Sequence, residues 1–316
     1  MTSAASIGEI CDHHMAIRIY RTPGGLRRNL DGYVSLYHGD SRELVRSLPD
    51  ECMDVIITSP PYCIGKDYET SKSVSDFLEF HSKFLPEIAR VTKSGGSVCW
   101  QVGFHPNHGN LTPLDYLVFS IFSKIKELKL RNRIIWSYEH GLHRQRSFSG
   151  RYEVILWYTK GDNYSFDLDA VRVPQKYPGK RSYKGPNKGQ FSGNPLGKNP
   201  GDVWSDIPNV KGRHVEKTKH PCQFPVSLPI RLIRALTKPG DLVFDPFMGV
   251  GSTGMAAVAD KRRFVGAELN KGYVEIARER IMAAARGEDV FRPLERPILR
   301  PSANMAVARK PAHFKI

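Results

Sequence analysis

Two short apolar runs, Asp54-Val-Ile-Ile-Thr58 and Asp241-Leu-Val-Phe-Asp245, constrain this chain most, because each stops at residues that cannot continue a strand. The first is followed by Ser59-Pro60-Pro61-Tyr62. Two consecutive prolines lack ladder donors, so the chain must turn at the strand's C-terminal edge and leave its carbonyls outside secondary structure. The second is followed by Pro246-Phe-Met-Gly-Val-Gly-Ser-Thr-Gly254, which places Gly249, Gly251 and Gly254 at G-x-G-x-x-G spacing ahead of a helix. Open α/β sheets bind their ligands along this C-terminal edge.

The remaining chain alternates in the same way. Strands are expected at 33–37, 97–102, 133–137, 152–158 and 263–268. Helices are expected at 43–48, 76–91, 114–128, 225–236, from Ser252 onward and at 273–285, with Gly95-Gly96 as a turn. The organisation is an N-terminal extension (1–32), a first α/β half (33–170), a Gly/Pro/Asn/Ser-punctuated segment (171–219), a second α/β half (220–286) and a tail (287–316). That tail is Pro-rich and basic without periodicity, and is expected on the surface.

With 316 residues the chain can bury a sizeable core. No apolar stretch approaches the roughly 18 to 20 residues of a membrane span. The N-terminus lacks the basic start and apolar run of a secretory signal, so a cytoplasmic location is expected. Cys11, Cys52, Cys63, Cys99 and Cys222 are scattered without a C-x-x-C pair, which indicates reduced thiols. His13-His14 and His140-x-x-His143 have no companion ligands at zinc spacing, and no metal is expected.

Lys and Arg number 47 against 32 Asp and Glu, a formal +15 that calls for a polyanionic partner. Eleven bases and three acids put +8 of this charge in 171–219. Lys176, Lys180, Arg181, Lys184, Lys188, Lys211 and Arg213 are the candidate phosphate contacts. Tyr177, Tyr183, Phe191 and Trp204 interleave with the bases, a mixture suited to phosphate contact and base stacking.

Glu268 closes the strand after the glycine loop, 19 residues beyond Gly249. Glycines admit a ligand close to the backbone, helix amides favour anionic groups, and an acid on the next strand accepts from ribose hydroxyls. An adenosine-bearing cofactor fits this pattern. NAD is one such cofactor, although Asp-Pro-Phe-Met stands where a pyrophosphate loop would turn at once.

Taken together, Thr58-Ser-Pro-Pro-Tyr62 and Asp245-Pro-Phe-Met-Gly-Val-Gly-Ser-Thr-Gly254 resemble the two signatures of the DNA amino-methyltransferases, S/D-P-P-Y and F-x-G-x-G. Here the glycine motif follows the other by roughly 190 residues, the order of the permuted β-group. The resemblance runs from Tyr33 to about Ala285. It implies a doubly wound, mostly parallel seven-stranded sheet of the S-adenosylmethionine-dependent methyltransferase fold, with 171–219 as an inserted DNA-recognition segment. It also implies S-adenosylmethionine as cofactor, double-stranded DNA as partner, and a cognate restriction endonuclease as a candidate partner. Asp40 at the end of Tyr37-His-Gly-Asp40 would contact the adenine. Asp245, Phe247, Gly249, Gly251, Ser252, Thr253 and Glu268 would form the rest of the cofactor site. Phe224 and Pro225, in His220-Pro-Cys-Gln-Phe-Pro225, would wall the methionine end.

Ser59, Pro60, Pro61 and Tyr62 then address one difficulty. An exocyclic amino group has its lone pair delocalised into the ring and is a poor nucleophile. Ser59 Oγ and the Pro60 carbonyl can accept its two N–H groups and aim the lone pair at a methyl donor. Tyr62 offers a stacking face for a base flipped from the duplex, worth roughly 1 to 3 kcal/mol. Ser at 59 and Phe224, where many adenine-modifying relatives have Lys, both lean toward N4 of cytosine, with N6 of adenine as the alternative. Pro221-Cys222-Gln223 matches the nucleophile motif of C5-cytosine enzymes. It precedes the glycine motif, however, and no Glu-Asn-Val follows. A NAD-dependent oxidoreductase would leave Ser-Pro-Pro-Tyr and the basic segment without a purpose. A non-catalytic DNA-binding protein would account for the charge alone.

Overall fold

The computed structural model describes residues 16–62, 73–107, 110–139, 143–298, 302 and 304–309; Cys11, His13, His14, Cys63 and His140 lie outside them. In chain order the elements begin with β1 (Ile17–Tyr20), α1 (Pro23–Arg27), β2 (Val34–His38), α2 (Ser41–Ser47), β3 (Met53–Thr58), α3 (Val74–Val91) and β4 (Thr92–Val102). A hairpin of β5 (Phe104–Asn107) and β6 (Asn110–Pro113) leads to α4 (Leu114–Phe122), β7 (Leu128–Ser137) and β8 (Tyr152–Lys160). The short β9 (Val203–Trp204) precedes α5 (Ser227–Leu236), β10 (Leu242–Asp245), α6 (Ser252–Ala259), β11 (Arg263–Glu268) and α7 (Lys271–Ala285).

Nine strands form one sheet in the order β1-β2-β11-β10-β3-β4-β8-β7-β9. The pairs from β1 through to β4 are parallel, β8 is antiparallel to both β4 and β7, and β9 is parallel to β7. The architecture is the expected mostly parallel α/β sheet, with two strands beyond the expected seven. Both additions are edges: Ile17–Tyr20 registers on Val34–Tyr37, and Val203–Trp204 on Ile135–Trp136. Pairings of four and two residues are too short to carry a readable period.

Successive strand residues point to opposite faces, and each face has its own helical layer. Val55, Ile57 and Val243 pack against α5, α6 and α7. Ile56, Phe244 and Trp100 pack against α2, α3 and α4. Among the described residues, no helix is long and apolar enough to cross a membrane.

Three local expectations are corrected. Gly95-Gly96 lies inside β4, where Gly95 takes φ +80° and the register passes from Met53↔Thr92 to Val55↔Ser97, so the pair sits in an irregularity of the ladder where residues 93–96 stand against Asp54 alone. The helix expected over 114–128 ends at Phe122, and Leu128 and Leu130 belong to β7. The stretch after 286 is not a free surface tail. Val290, Phe291 and Leu294 pack on the core, and Arg292 N–H donates to Glu216 Oε1 at 3.1 Å.

Asp245, fully buried at the end of β10, joins the two halves. Its Oδ1 accepts from Thr58 Oγ1 at 2.6 Å and from Phe247 N–H at 3.0 Å, while Oδ2 accepts from Thr253 Oγ1 at 2.7 Å. Burial raises the carboxyl from 3.8 to about 6 against the pull of these donors. A carboxyl raised on folding confers stability that is complete below the unfolded value near 3.8 and is lost as pH climbs through about 6. Asp245→Asn should remove this component. In urea unfolding between pH 4 and 7 the variant should gain on the parent as pH rises, whereas parallel profiles would refute the assignment.

Candidate active site

A cavity of about 670 Å³ opens at the C-terminal ends of β2, β3, β10 and β11. The helical layer over one sheet face contributes Phe80 and Phe84, the β3 exit contributes Ser59 to Tyr62, and the segment before α5 contributes His220 and Phe224. Sequence therefore places the Ser-Pro-Pro-Tyr turn and the glycine loop on opposite halves of the chain, and the sheet order brings them to one opening.

The glycine loop is shaped for close approach. Gly249 has φ +51°, and a Cβ there would stand 3.2 Å from His220 Nε2. Gly251 caps α6 at φ +81°, with Ala277 Cα 3.1 Å from where its Cβ would be. Glu268 Oε1 accepts from Asn270 N–H at 2.7 Å, and its carboxylate also draws on the Gly249 and Leu269 amides. Burial nevertheless outweighs these donors and raises its pKa. Asp40 caps α2 by accepting from Arg42 N–H at 2.8 Å. Burial pushes Asp40 upward, and the Arg42 guanidinium overcomes it to leave the carboxyl below its ordinary value.

Phe247 packs tilted or edge-on in an aromatic group, its ring centroid 5.3 Å from Phe84, 5.9 Å from Phe80 and 6.2 Å from Trp100. These apolar rings, the acid facing the cavity and the backbone cradle that a Cβ at 249 would fill fit an adenosine-bearing sulfonium. Ser252 also lines the cavity, and its Oγ donates to Phe224 O at 3.0 Å.

Not every expected cofactor residue reaches the opening. Asp40, Phe224, Phe247, Gly249, Ser252 and Glu268 line it, whereas Asp245, Gly251, Thr253 and Pro225 do not. Asp245 and Thr253 are buried against each other, and Gly251 faces α7. Their part is to hold the loop.

On the other wall, Ser59 Oγ lies 3.2 Å from Tyr62 OH, which donates to Glu153 Oε2 at 3.4 Å. Gln101 Nε2 donates to the same oxygen at 2.5 Å. Gly103 leaves room for the Tyr62 ring, since a Cβ there would sit 3.2 Å from it. Burial and the neighbouring Glu153 charge hold the Tyr62 phenol well above its ordinary value. Glu153, Gln101 and Tyr273 are not singled out by sequence, and His220 only as the start of its motif. A lone acid in the apolar run Tyr152–Lys160 is the available signal for Glu153.

All seven candidate phosphate contacts are exposed. Lys176 and Lys180 border a second depression of about 440 Å³. The Arg181 guanidinium lies 4.2 Å from the Phe191 ring centroid, and Lys176 Nζ lies 5.4 Å from that of Tyr177. Lys184, Lys188 and Arg213 stand on exposed turns, while Lys211 is near enough to Glu153 to stabilise its charge. Cys222 borders the main cavity, and its N–H donates to His220 Nδ1 at 3.2 Å.

Two substitutions test the cofactor wall. Gly249→Ala, whose Cβ would crowd His220 Nε2 at 3.2 Å, and Glu268→Ala, which removes a charged acceptor, should each weaken S-adenosylmethionine binding by about tenfold or more. Cys222→Ala should leave it within about twofold. Isothermal titration calorimetry measures all three, and an unchanged Glu268→Ala affinity would remove that acid from the site.

Comparison with known proteins identifies this architecture. A DNA methylase family model matches residues 53–279. The Type II methyltransferase M.BglII of Bacillus subtilis is 44% identical over 243 residues, 77% of this chain and 67% of that protein. The DNA adenine methyltransferase YhdJ of Escherichia coli K12 is 31% identical over 256 residues, 79% of this chain and 83% of that one. A putative DNA modification methylase of Thermus thermophilus, solved with S-adenosyl-L-methionine, superimposes with a TM-score of 0.57 at 27% identity, covering 80% of this chain and 96% of its own. The chain belongs to the N6/N4 DNA methylase family and takes S-adenosylmethionine as its cofactor.

Proposed function

We propose that this methyltransferase modifies the exocyclic N4 of cytosine at a specific site in double-stranded DNA, within the cytoplasm. The observation that carries the reading is one cavity bordered both by Ser59, Pro60 and Tyr62 and by Phe247, Gly249 and Glu268. S-adenosylmethionine supplies a sulfonium methyl when bound. Ser59 Oγ and the Pro60 carbonyl accept from the amino group of the flipped base, while the Tyr62 ring stacks on it. Phe80, Phe84 and Phe247 enclose the opening and limit water there.

A hydroxyl at position 59 and an aromatic ring at position 224 support cytosine. The 31% identity to YhdJ, whose name gives adenine, favours the second reading, N6 of adenine in the same site. In both, 33–170 is the catalytic half and 220–286 the cofactor half. The 171–219 segment recognises the target, with Lys176, Lys180, Arg181, Lys184, Lys188, Lys211 and Arg213 on phosphates. The Type II naming of M.BglII supports a restriction endonuclease of the same site as partner.

Incubation with unmethylated DNA and S-adenosylmethionine, followed by digestion and nucleoside mass spectrometry, should yield N4-methylcytosine. N6-methyladenine would transfer the proposal to the second reading, and no methylated product on diverse DNA would end it. Ser59→Ala should lower the rate about 100-fold, the usual scale for removing one group that polarises a reacting centre.

Binding to DNA should also weaken steeply with salt. Seven phosphate contacts correspond to a slope of about −6 in log affinity against log salt. A slope near zero would exclude the basic segment as a phosphate surface.

A further inference from the structure

A serine hydroxyl is both donor and acceptor, so its presence at position 59 does not determine which it offers to a base. To accept from an amino group, its own proton must be committed elsewhere. The chain Ser59 Oγ, Tyr62 OH, Glu153 Oε2 runs through contacts of 3.2 and 3.4 Å. A carboxylate has no proton to donate. Tyr62 therefore donates to Glu153, its phenolic oxygen accepts from Ser59, and the Ser59 lone pairs face the cavity. We propose that Glu153, as a positioning residue, sets the direction of this chain and makes Ser59 an acceptor, so that the site selects a base bearing an amino group over one bearing a carbonyl. The inference rests on the methyltransferase reading above.

The surroundings favour Glu153 as a pure acceptor. Gln101 donates from β4, Tyr138 donates from just beyond β7, and Lys211 adds positive charge from the basic segment. Gly103 keeps the Tyr62 ring against this group. The titratable and charged neighbours are Tyr62, Tyr138 and Lys211, with Cys222 acting on Tyr62 and Arg151 on Tyr138. Burial raises the Glu153 carboxyl, and its donors and Lys211 oppose that rise. Once protonated, Glu153 can donate to Tyr62, and the chain can reverse. Amino-group selection should thus be full at higher pH and weaken as pH falls through the Glu153 titration.

The test is binding, in the presence of S-adenosylhomocysteine, to duplexes whose mapped target cytosine is either retained or replaced by uracil. If the product proves to be methyladenine, adenine and hypoxanthine take their place. The parent protein should prefer the amino base by about tenfold, one correctly directed hydrogen bond against one opposed. Glu153→Gln brings an amide that can donate to Tyr62, and the preference should shrink to within about twofold while S-adenosylhomocysteine affinity stays unchanged. Tyr62→Phe cuts the chain while keeping the Glu153 carboxylate and its Gln101 donor, and should cause the same loss, and the double substitution should add nothing, as expected of one coupled unit. The acid-side loss of preference should be present in the parent and absent from Glu153→Gln. A parent that methylates DNA but whose preference survives both substitutions would overturn this inference alone. A parent without methylation of any base would overturn the reading beneath it.

Discussion

The site depends on the buried Asp245. Its two oxygens hold Thr58, the last residue of the strand that delivers Ser-Pro-Pro-Tyr, and Thr253, in the first turn of the helix behind the glycine loop. These residues are 195 positions apart in sequence. An acceptor with no proton of its own is suited to this junction, because both hydroxyls and the Phe247 amide must be donors at once. The burial that lifts its pKa also excludes the water that would compete for those donors. The Ser-Pro-Pro-Tyr turn and the glycine loop are consequently registered by a short, directional contact, and the cavity between them inherits that register.

Much of this is legible in the sequence, for identifiable reasons. β3, β10 and β11 are buried on both faces, so their apolar runs are nearly continuous and end at sharp punctuation. The proline pair and the glycine triplet act through backbone geometry, which the amino-acid type reveals directly. The hairpin of β5 and β6 offers no comparable mark, since its polar and apolar residues follow no strand period and its pairing is only four residues long. Leu128 extends an apparent helical period although it occupies a strand, because a short apolar run fits either pattern.

Side-chain partnerships across distant segments are the least legible part. Glu153 lies 91 residues from Tyr62, and its importance comes from β8 lying beside β4, a neighbour relation set by the whole sheet. Sequence assigns Asp245 to the cofactor, as an acid at a strand end often is. It faces inward instead, because Thr58 and Thr253 converge there. Periodicity records which face of an element is apolar. It does not record which polar group on another element shares that face.

The basic segment raises a different problem, since it has almost no regular structure with which to fix its bases. Two isolated bridges, Val173↔Lys198 and Arg181↔Phe191, fold it back on itself, and cation–π contacts lay Arg181 on Phe191 and Lys176 on Tyr177. Its far end is anchored more firmly. The buried Glu216 carboxylate accepts from Val226 N–H at the start of α5 and from Arg292 N–H beyond α7. Burial lowers the nearby Arg280 to about 10, and the Glu216 charge pulls it back upward. Arg280 also donates to Val250 O, inside the glycine loop. The segment's bases therefore stay on the surface while its exit remains tied, through Glu216 and Arg280, to the glycine loop that borders the cavity. An exposed basic segment and an enclosed cavity are reconciled by confining buried charge to the junction between them.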